Sequence, residues 1–182
     1  ARDVWTDTVL LERKQLTSGT TWHAAGGVGE FHGIPCISEM ARYGIDLLQR
    51  LEAETGQATG FKRTGSIAVA LNEGRHEELR RRMDTALGIG IHVNELSRDE
   101  IIGHWPHLNP DGILGGIHFP NDGQTNPIDT TMALAKGAKQ SGVEIFENTK
   151  VTKVIVADDR VVGVETDRGG INADFVANCT GI

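Results

Sequence analysis

The stretch that decides the fold is VLLER at residues 9–13, followed by LTSGTTWHAAG at residues 16–26. The apolar run that ends in Glu12 predicts a fully buried strand of a parallel sheet. The small and hydroxyl-bearing residues that follow predict a turn and a helix N-cap ahead of a short helix starting at Trp22 and His23. Glycines come soon after, so the predicted order is strand, loop and short helix.

Three features of this stretch favour a dinucleotide ligand only when they are taken together. A carboxylate such as Glu12 accepts hydrogen bonds from ribose hydroxyls in dinucleotide-binding folds, although a solvated charge at a strand end is the plainer interpretation. The helix start exposes backbone N–H groups suited to a pyrophosphate, but ordinary helix capping explains it equally well. His23 precedes small residues that leave room for a flat ring, yet a lone histidine there is more often packed in a core.

The rest of the chain predicts a mixture of helices and strands. Helices are predicted at residues 37–55 with Gly56 as the stop, at 73–87, after the capping box at 97–100, and at 126–140 with Asn126 as N-cap and Pro127 in the first position. Strands are predicted at residues 61–71 with a break at Gly65, at 113–119, at 143–146, in a hairpin of 151–156 and 160–165 around Asp158-Asp159, and at 173–179.

Composition excludes several classes of protein. With 38% hydrophobic and 24% charged residues, the chain is too apolar to be disordered, and it contains no apolar run long enough to span a membrane. The net charge of −7 argues against nucleic-acid binding, and Arg80-Arg81-Arg82 is interpreted as a solvated helix face. Cys36 and Cys179 are expected to be buried free thiols in a reducing compartment, not a disulfide or a zinc site.

The two quoted segments closely resemble the dimethylglycine and sarcosine dehydrogenases, which are D-amino-acid-oxidase-like FAD-dependent oxidoreductases. The resemblance is nearly continuous up to Gly26 and is far more specific than a glycine fingerprint alone. Later segments match the family pattern in order, namely LEAETG at 51–56, GSI at 65–67, DGQTNP at 122–127, Val151, and NCTG at 178–181. The resemblance therefore covers essentially the whole chain and is strongest at its start.

The resemblance implies a set of cofactor-binding residues. It places Glu12 on the adenosine ribose with Arg13 beside it, Val151 on the adenine through its backbone, and Thr180 and Gly181 on a strand that returns to the cofactor. It implies that the pyrophosphate and the flavin ring are lined by Gly19, Thr20, Thr21, Trp22, His23, Ala24, Ala25, Gly26 and Gly27. His23 matches the family histidine that is joined covalently to the 8α-methyl carbon of FAD, where an imidazole nitrogen acts as the nucleophile.

The resemblance also implies the fold and the domain organisation. The expected class is α/β, α+β overall: an incomplete Rossmann-like FAD-binding domain with an inserted mixed-sheet substrate domain. Residues 1–60 and 125–182 are assigned to parts of the FAD-binding domain, and residues 61–124 to part of the inserted domain. The glycine-rich phosphate turn GxGxxG is expected before Ala1, and the catalytic histidine and tyrosine beyond Ile182, so no catalytic residue is assigned within these residues.

The function implied is oxidative N-demethylation of a small methylated amine, dimethylglycine or sarcosine, by hydride transfer to FAD. Alternatives are another D-amino-acid-oxidase-like FAD oxidoreductase acting on an amino acid, glycerol 3-phosphate or a hydroxy acid, and a non-catalytic nucleotide-binding or regulatory module. The implied electron acceptor is an electron-transfer flavoprotein or oxygen, and a long relative would carry a C-terminal tetrahydrofolate domain. The expected compartment is the bacterial cytoplasm, or the mitochondrial matrix in a eukaryote.

Two further groups of histidines are weighed and set aside. His104 and His107 flank Pro106 without an accompanying cysteine or carboxylate, so a helix end and a loop are favoured over a metal pair, and no metal ligand is assigned. His118 lies in a predicted strand and could approach an active site, but sheet packing is the favoured interpretation.

Overall fold

A computed structural model describes residues 7–181 of the chain. Four α-helices are found among these residues: α1 (Pro35–Thr55), α2 (Glu73–Gly88), α3 (Arg98–His104) and α4 (Pro127–Gln140). The strands of the same range are β1 (Val9–Leu11), β2 (Gly27–Val28), β3 (Ser66–Ala70), β4 (Asn94–Leu96), β5 (Gly115–Phe119), β6 (Gly123–Gln124), β7 (Glu144–Phe146), β8 (Val151–Ala157), β9 (Arg160–Thr166) and β10 (Gly169–Asn172). This mixture of helices with parallel and antiparallel strands confirms the predicted α/β class.

The first strand is parallel, as predicted, but it is not buried. β1 pairs with β7 in parallel, and α4 leads from the middle of the chain into β7 and packs against it. Val9 is 36% exposed and Leu10 is 40% exposed, so the expectation of a fully buried strand is wrong for this structure. The reason is that β1 has one neighbouring strand within residues 7–181, which leaves its other side uncovered.

The main hydrophobic core lies on one face of a three-stranded antiparallel sheet, in which β5 pairs with β3 on one side and with β4 on the other. α2 covers that face through Leu79 and Ala86, which pack with Ile91, Ile117 and Phe119. A second cluster of Leu96, Ile101 and Ile113 packs α3 against the sheet. This sheet falls within residues 61–124, although the division into two domains stays a prediction.

The sequence signals for the ends of α1, α3 and α4 are confirmed. α1 ends at Gly56, which has a φ of 66° and donates its N–H to the carbonyl of Glu52. Ser97 and Glu100 form the capping box of α3. The Asn126 side chain accepts from the backbone of Ile128 and Asp129 at the start of α4. No helix among residues 7–181 has both the length and the apolar character needed to cross a membrane.

The C-terminal hairpin is confirmed, but the predicted last strand is wrong. β8 and β9 pair around Asp158 and Asp159, which have φ values of 49° and 58°. The strand that pairs next with β9 is β10, and residues 173–179 form no strand. The pairing stops where the Ala173 N–H donates to the carbonyl of Val162, and Phe175 beyond it is 73% exposed. An apolar run does not become a strand without a partner strand.

Candidate functional site

The turn that carries Trp22 and His23 is tighter than predicted. Thr20–His23 forms a single turn of 3-10 helix, and Gly19 occupies its N-cap position without a side-chain hydrogen bond. The predicted helix from Trp22 through Ala25 and its hydroxyl N-cap are therefore wrong. Four residues of 3-10 helix supply little dipole, so the anion-binding argument made from the sequence does not apply to this turn.

His23 projects from this turn with one ring nitrogen free. Its Nδ1 lies 3.3 Å from the carbonyl oxygen of Gly19. A carbonyl oxygen can only accept, so Nδ1 carries the proton in this contact and the lone pair of the neutral ring lies on Nε2. The ring centroids of Trp22 and His23 are 4.0 Å apart, and both side chains are exposed. The imidazole therefore lies at the surface beside an indole.

The residues after His23 are held against the start of α4. Gly26 has a φ of 78°, and a Cβ atom built on it would lie 2.1 Å from the carbonyl oxygen of Thr125. The Thr125 N–H donates to the carbonyl of Gly26 at 2.9 Å. β2 begins at the next residue, Gly27, and pairs antiparallel with β6. Gly26 is therefore required both by its backbone conformation and by the close approach of the Thr125 backbone.

The predicted ribose and adenine residues lie near one another. Glu12 follows β1; it is half-buried, and its carboxylate accepts from the Lys14 N–H at 2.8 Å. The backbone carbonyl of Glu12 accepts from the N–H of Thr149, two residues before Val151. Arg13, the residue after Glu12, is exposed. The structure thus brings Glu12 and Val151 to the same end of the β1–β7 pair.

Thr180 and Gly181 are placed differently. The N–H and the hydroxyl of Thr180 both donate to the side chain of Asn178, so these contacts are local. Both residues are exposed and follow the region that forms no strand. No hydrogen bond described within residues 7–181 joins them to the turn at His23, and their role in cofactor binding stays a prediction.

A buried acidic network escaped the sequence interpretation. Asp122 is 7% exposed; its Oδ1 accepts from the Glu30 N–H at 2.8 Å, and its Oδ2 accepts from the Ser66 hydroxyl. Glu30 is 6% exposed and forms an ion pair with Arg42 at 3.2 Å. Asn121 donates its side-chain amide to Glu30 at 3.1 Å. The contacts between Glu30 and Asp122 span 92 residues, so no local pattern could have indicated them.

The remaining histidines lie away from this network or at its edge. The rings of His104 and His118 are 5.1 Å apart. Burial lowers the pKa of His118, and the nearby His104 lowers it further, while Asp122 opposes both effects. Within residues 7–181 no group of three or more metal-ligating side chains converges.

The predicted solvated arginine face and the two cysteines have different outcomes. Arg80 pairs with Glu95 of β4 and Arg81 with Glu77 of α2, and both arginines are exposed as expected, whereas Arg82 is half-buried and its guanidinium lies 5.7 Å from the centre of the Phe31 ring. Cys36 and Cys179 are free but exposed, so their predicted burial is wrong. Cys36 lies in the first turn of α1, where its neighbours Ile34 and Ile37 are also exposed and nothing in the described part of the chain covers them.

The family of the chain follows from comparison with known proteins. A family model for the DAO group, described as FAD dependent oxidoreductase, matches residues 1–182. The chain belongs to this family of FAD-dependent oxidoreductases. The DAO fold is also found in the crystal structure of an L-proline dehydrogenase from P. horikoshii, which superposes with a TM-score of 0.90 over 96% of this chain and 46% of that chain, at 22% identity.

Several named proteins are similar over nearly the whole chain. A 4-methylaminobutanoate oxidase (formaldehyde-forming) from Paenarthrobacter nicotinovorans is 41% identical over 97% of this chain and 21% of its own length. The mitochondrial sarcosine dehydrogenase of Homo sapiens is 37% identical over 96% of this chain and 20% of its own. The mitochondrial pyruvate dehydrogenase phosphatase regulatory subunit of Mus musculus is 36% identical over 97% of this chain and 20% of its own. The chain thus spans about a fifth of the length of these relatives.

Proposed function

We propose that the protein is a flavoenzyme that oxidises a small N-methylated amine and holds FAD covalently through Nε2 of His23. The observation that carries this proposal is the state of His23. Its Nδ1 lies within hydrogen-bonding distance of the Gly19 carbonyl, which leaves the lone pair of the neutral ring on Nε2, and the side chain is exposed beside Trp22. An imidazole fixed in one tautomer with the other nitrogen free is suited to nucleophilic bond formation with an electrophilic carbon.

The surface around His23 fits a flat ring system. A Cβ atom built on Gly19 or Gly27 would meet nothing within 4 Å, so the backbone at both positions is open to close approach. Ala24 and Ala25 lie between them and are exposed. The small residues that follow His23 would leave room for an isoalloxazine ring on that side of the imidazole, while the Trp22 indole lies on the other side.

The residues that would hold FAD follow from this placement. Glu12 and Arg13 would bind the adenosine ribose, and the Val151 backbone would contact the adenine, because both groups lie at one end of the β1–β7 pair. The turn would contact the rest of the cofactor through Gly19, Thr20, Thr21, Trp22, His23, Ala24, Ala25, Gly26 and Gly27. Thr180 and Gly181 remain assigned by family resemblance alone. When bound, the flavin would supply the redox chemistry by accepting a hydride.

The substrate class is inferred from the relatives. The names of two relatives specify methylated amines that carry a carboxylate, 4-methylaminobutanoate and sarcosine. We therefore propose such an amine, with dimethylglycine and sarcosine as the first candidates. The electron acceptor proposed is an electron-transfer flavoprotein or oxygen, and tetrahydrofolate would serve as the carbon acceptor in a folate-dependent relative.

The test uses the complete protein. After acid precipitation and washing, flavin fluorescence is expected in the pellet of the wild type and is expected to be lost from that of His23→Ala. His32→Ala is a matched control, because His32 is also exposed and its ring nitrogen also contacts a backbone carbonyl, that of Gly29 at 3.2 Å. Retention of flavin in the His23→Ala pellet would disprove the proposed tether.

Two alternatives have distinct outcomes in the same experiment. Flavin confined to the supernatant, together with activity only on a hydroxy acid, would assign the protein to another branch of the FAD oxidoreductases. The similarity to a regulatory subunit favours a non-catalytic module as the second candidate. Absence of flavin from both the pellet and the supernatant would support that candidate and reject the enzyme proposal.

A further inference from the structure

Asp122 stands where three parts of the fold meet. Gly27 pairs with Gln124 and Val28 with Gly123, and continuing this antiparallel register places Gly29 opposite Asp122. A Cβ atom built on Gly29 would lie 3.6 Å from the Asp122 carboxylate, so the carboxylate lies directly against this backbone. The Asp122 side chain is therefore packed against the residues that follow β2.

The polar groups of Asp122 hold two separate segments. Its Oδ1 accepts from the N–H of Glu30, two residues after β2, while its Oδ2 accepts from Ser66 at the start of β3. Its backbone carbonyl accepts from the N–H of Gly65 at 2.8 Å. Asp122 thus ties β2 to the edge of the three-stranded sheet, while β6, which begins at the next residue, pairs with β2 directly.

We propose that Asp122 is a positioning residue that fixes the segment between His23 and Glu30 in the conformation required for cofactor attachment. The inference rests on the proposed function in one respect, since the cofactor is the flavin assigned to His23. The ordering of this segment by Asp122 does not depend on the flavin assignment. Gly26 is anchored by Thr125 and Glu30 by Asp122, so the two anchors hold both ends of residues 26–30, which begin three residues after His23.

The charge of Asp122 is less important than its hydrogen-bonding pattern. An asparagine at this position can accept from the Glu30 N–H through its side-chain oxygen and donate its amide to the Ser66 hydroxyl, which can act as either donor or acceptor. An alanine leaves the buried Glu30 N–H without a partner. Asp122→Asn is therefore the conservative variant and Asp122→Ala the disruptive one.

The experiment measures hydrogen exchange and flavin content in the complete protein for the wild type, Asp122→Ala, Asp122→Asn and Thr166→Ala. Thr166 is a matched control, because it is also buried and its hydroxyl donates to Gly169 and accepts from Arg168 within the β9–β10 region. We expect the Glu30 amide to exchange about tenfold faster in Asp122→Ala, the factor given by one lost hydrogen bond. We also expect near-normal exchange in Asp122→Asn and in Thr166→Ala.

The flavin measurement is read separately from the exchange measurement. Asp122→Ala is expected to carry less than about half of the wild-type covalent flavin, while Thr166→Ala keeps its full content at a similar loss of thermal stability. Unchanged exchange at residues 24–30 in Asp122→Ala would overturn the inference, as would equal flavin loss in Thr166→Ala. If Asp122→Ala does not fold, the Asp122→Asn variant decides the question. Slow exchange at residues 24–30 together with reduced covalent flavin in Asp122→Asn would then overturn the inference. If the wild-type pellet contains no flavin, the proposed function is rejected. The exchange data then decide whether Asp122 orders the segment between His23 and Glu30.

Discussion

Gly26 is the residue in the candidate site at which substitution should be least tolerated. Gly26→Ala is expected to lower the free energy of unfolding by about 2 to 5 kcal/mol, as the sum of a left-handed backbone conformation and a clash with the Thr125 carbonyl. Gly33→Ala is the control, because Gly33 has a φ of 72° with open space around it and should cost only about 1 to 2 kcal/mol. Urea unfolding of both variants measures the difference, and equal losses would contradict the close approach.

His118 should make stability depend on pH. Because burial and His104 lower its pKa in the folded state below that of the unfolded chain, the unfolded state binds more protons as the pH falls below about 6.5. The folded state therefore loses stability as the pH falls through this region, and the full contribution is present above it. His92 acts in the same direction and Asp122 in the opposite one.

The test compares thermal unfolding of the wild type and His118→Gln between pH 7.5 and pH 5.5. We expect the wild type to lose more stability on acidification than the variant, since glutamine does not titrate. A wild type and variant with parallel profiles would show that His118 does not contribute. His107→Gln controls for the general effect of removing an exposed histidine.

At the scale of elements, the β8–β9 hairpin offers a stabilising substitution. Asp158 and Asp159 form a two-residue loop between Ala157 and Arg160, and both have positive φ angles. Glycine at the second position suits this turn, so Asp159→Gly is expected to raise the free energy of unfolding by up to about 1 kcal/mol. Asp159→Ala should lower it, and calorimetry of the two variants checks the sign; a loss in Asp159→Gly would contradict the assignment of the turn.

The elements that could be predicted are those specified by local sequence. The caps of α3 and α4, the left-handed stop of α1 at Gly56 and the hairpin turn all depend on residues within a few positions of one another. The strand predicted at residues 173–179 failed because a strand needs a partner, and β10 is the strand that pairs with β9. The helix predicted at His23 failed for a different reason: Gly19 occupies the N-cap position and leaves the first helical turn without a side-chain cap.

At the scale of the whole molecule, the sequence indicates only the local part of the candidate site. His23, Glu12 and Gly26 could be proposed because they cluster in one short stretch, whereas Asp122 and Glu30 are brought together by the pairing of β2 with β6. Their separation along the chain hides the contact, since a buried carboxylate in a loop looks the same in sequence as a solvated one. The half-exposed β1 has the same origin, because burial depends on neighbouring layers that strand periodicity does not specify.

The affinity of residues 1–182 for FAD is a property of the whole molecule that the sequence already constrains. These residues contain no GxGxxG turn, so the pyrophosphate would lack the backbone donors that such a turn supplies. Losing two or three hydrogen bonds to a charged group, at about 1.5 kcal/mol or more each, corresponds to binding at least about a hundredfold weaker than in a longer protein that has this turn. The comparison requires His23→Ala in both proteins, so that reversible binding is measured, and calorimetric titration with FAD supplies the two dissociation constants. Equal constants would show that the turn at residues 19–27 and the strand end at Glu12 bind the cofactor without a glycine-rich phosphate turn.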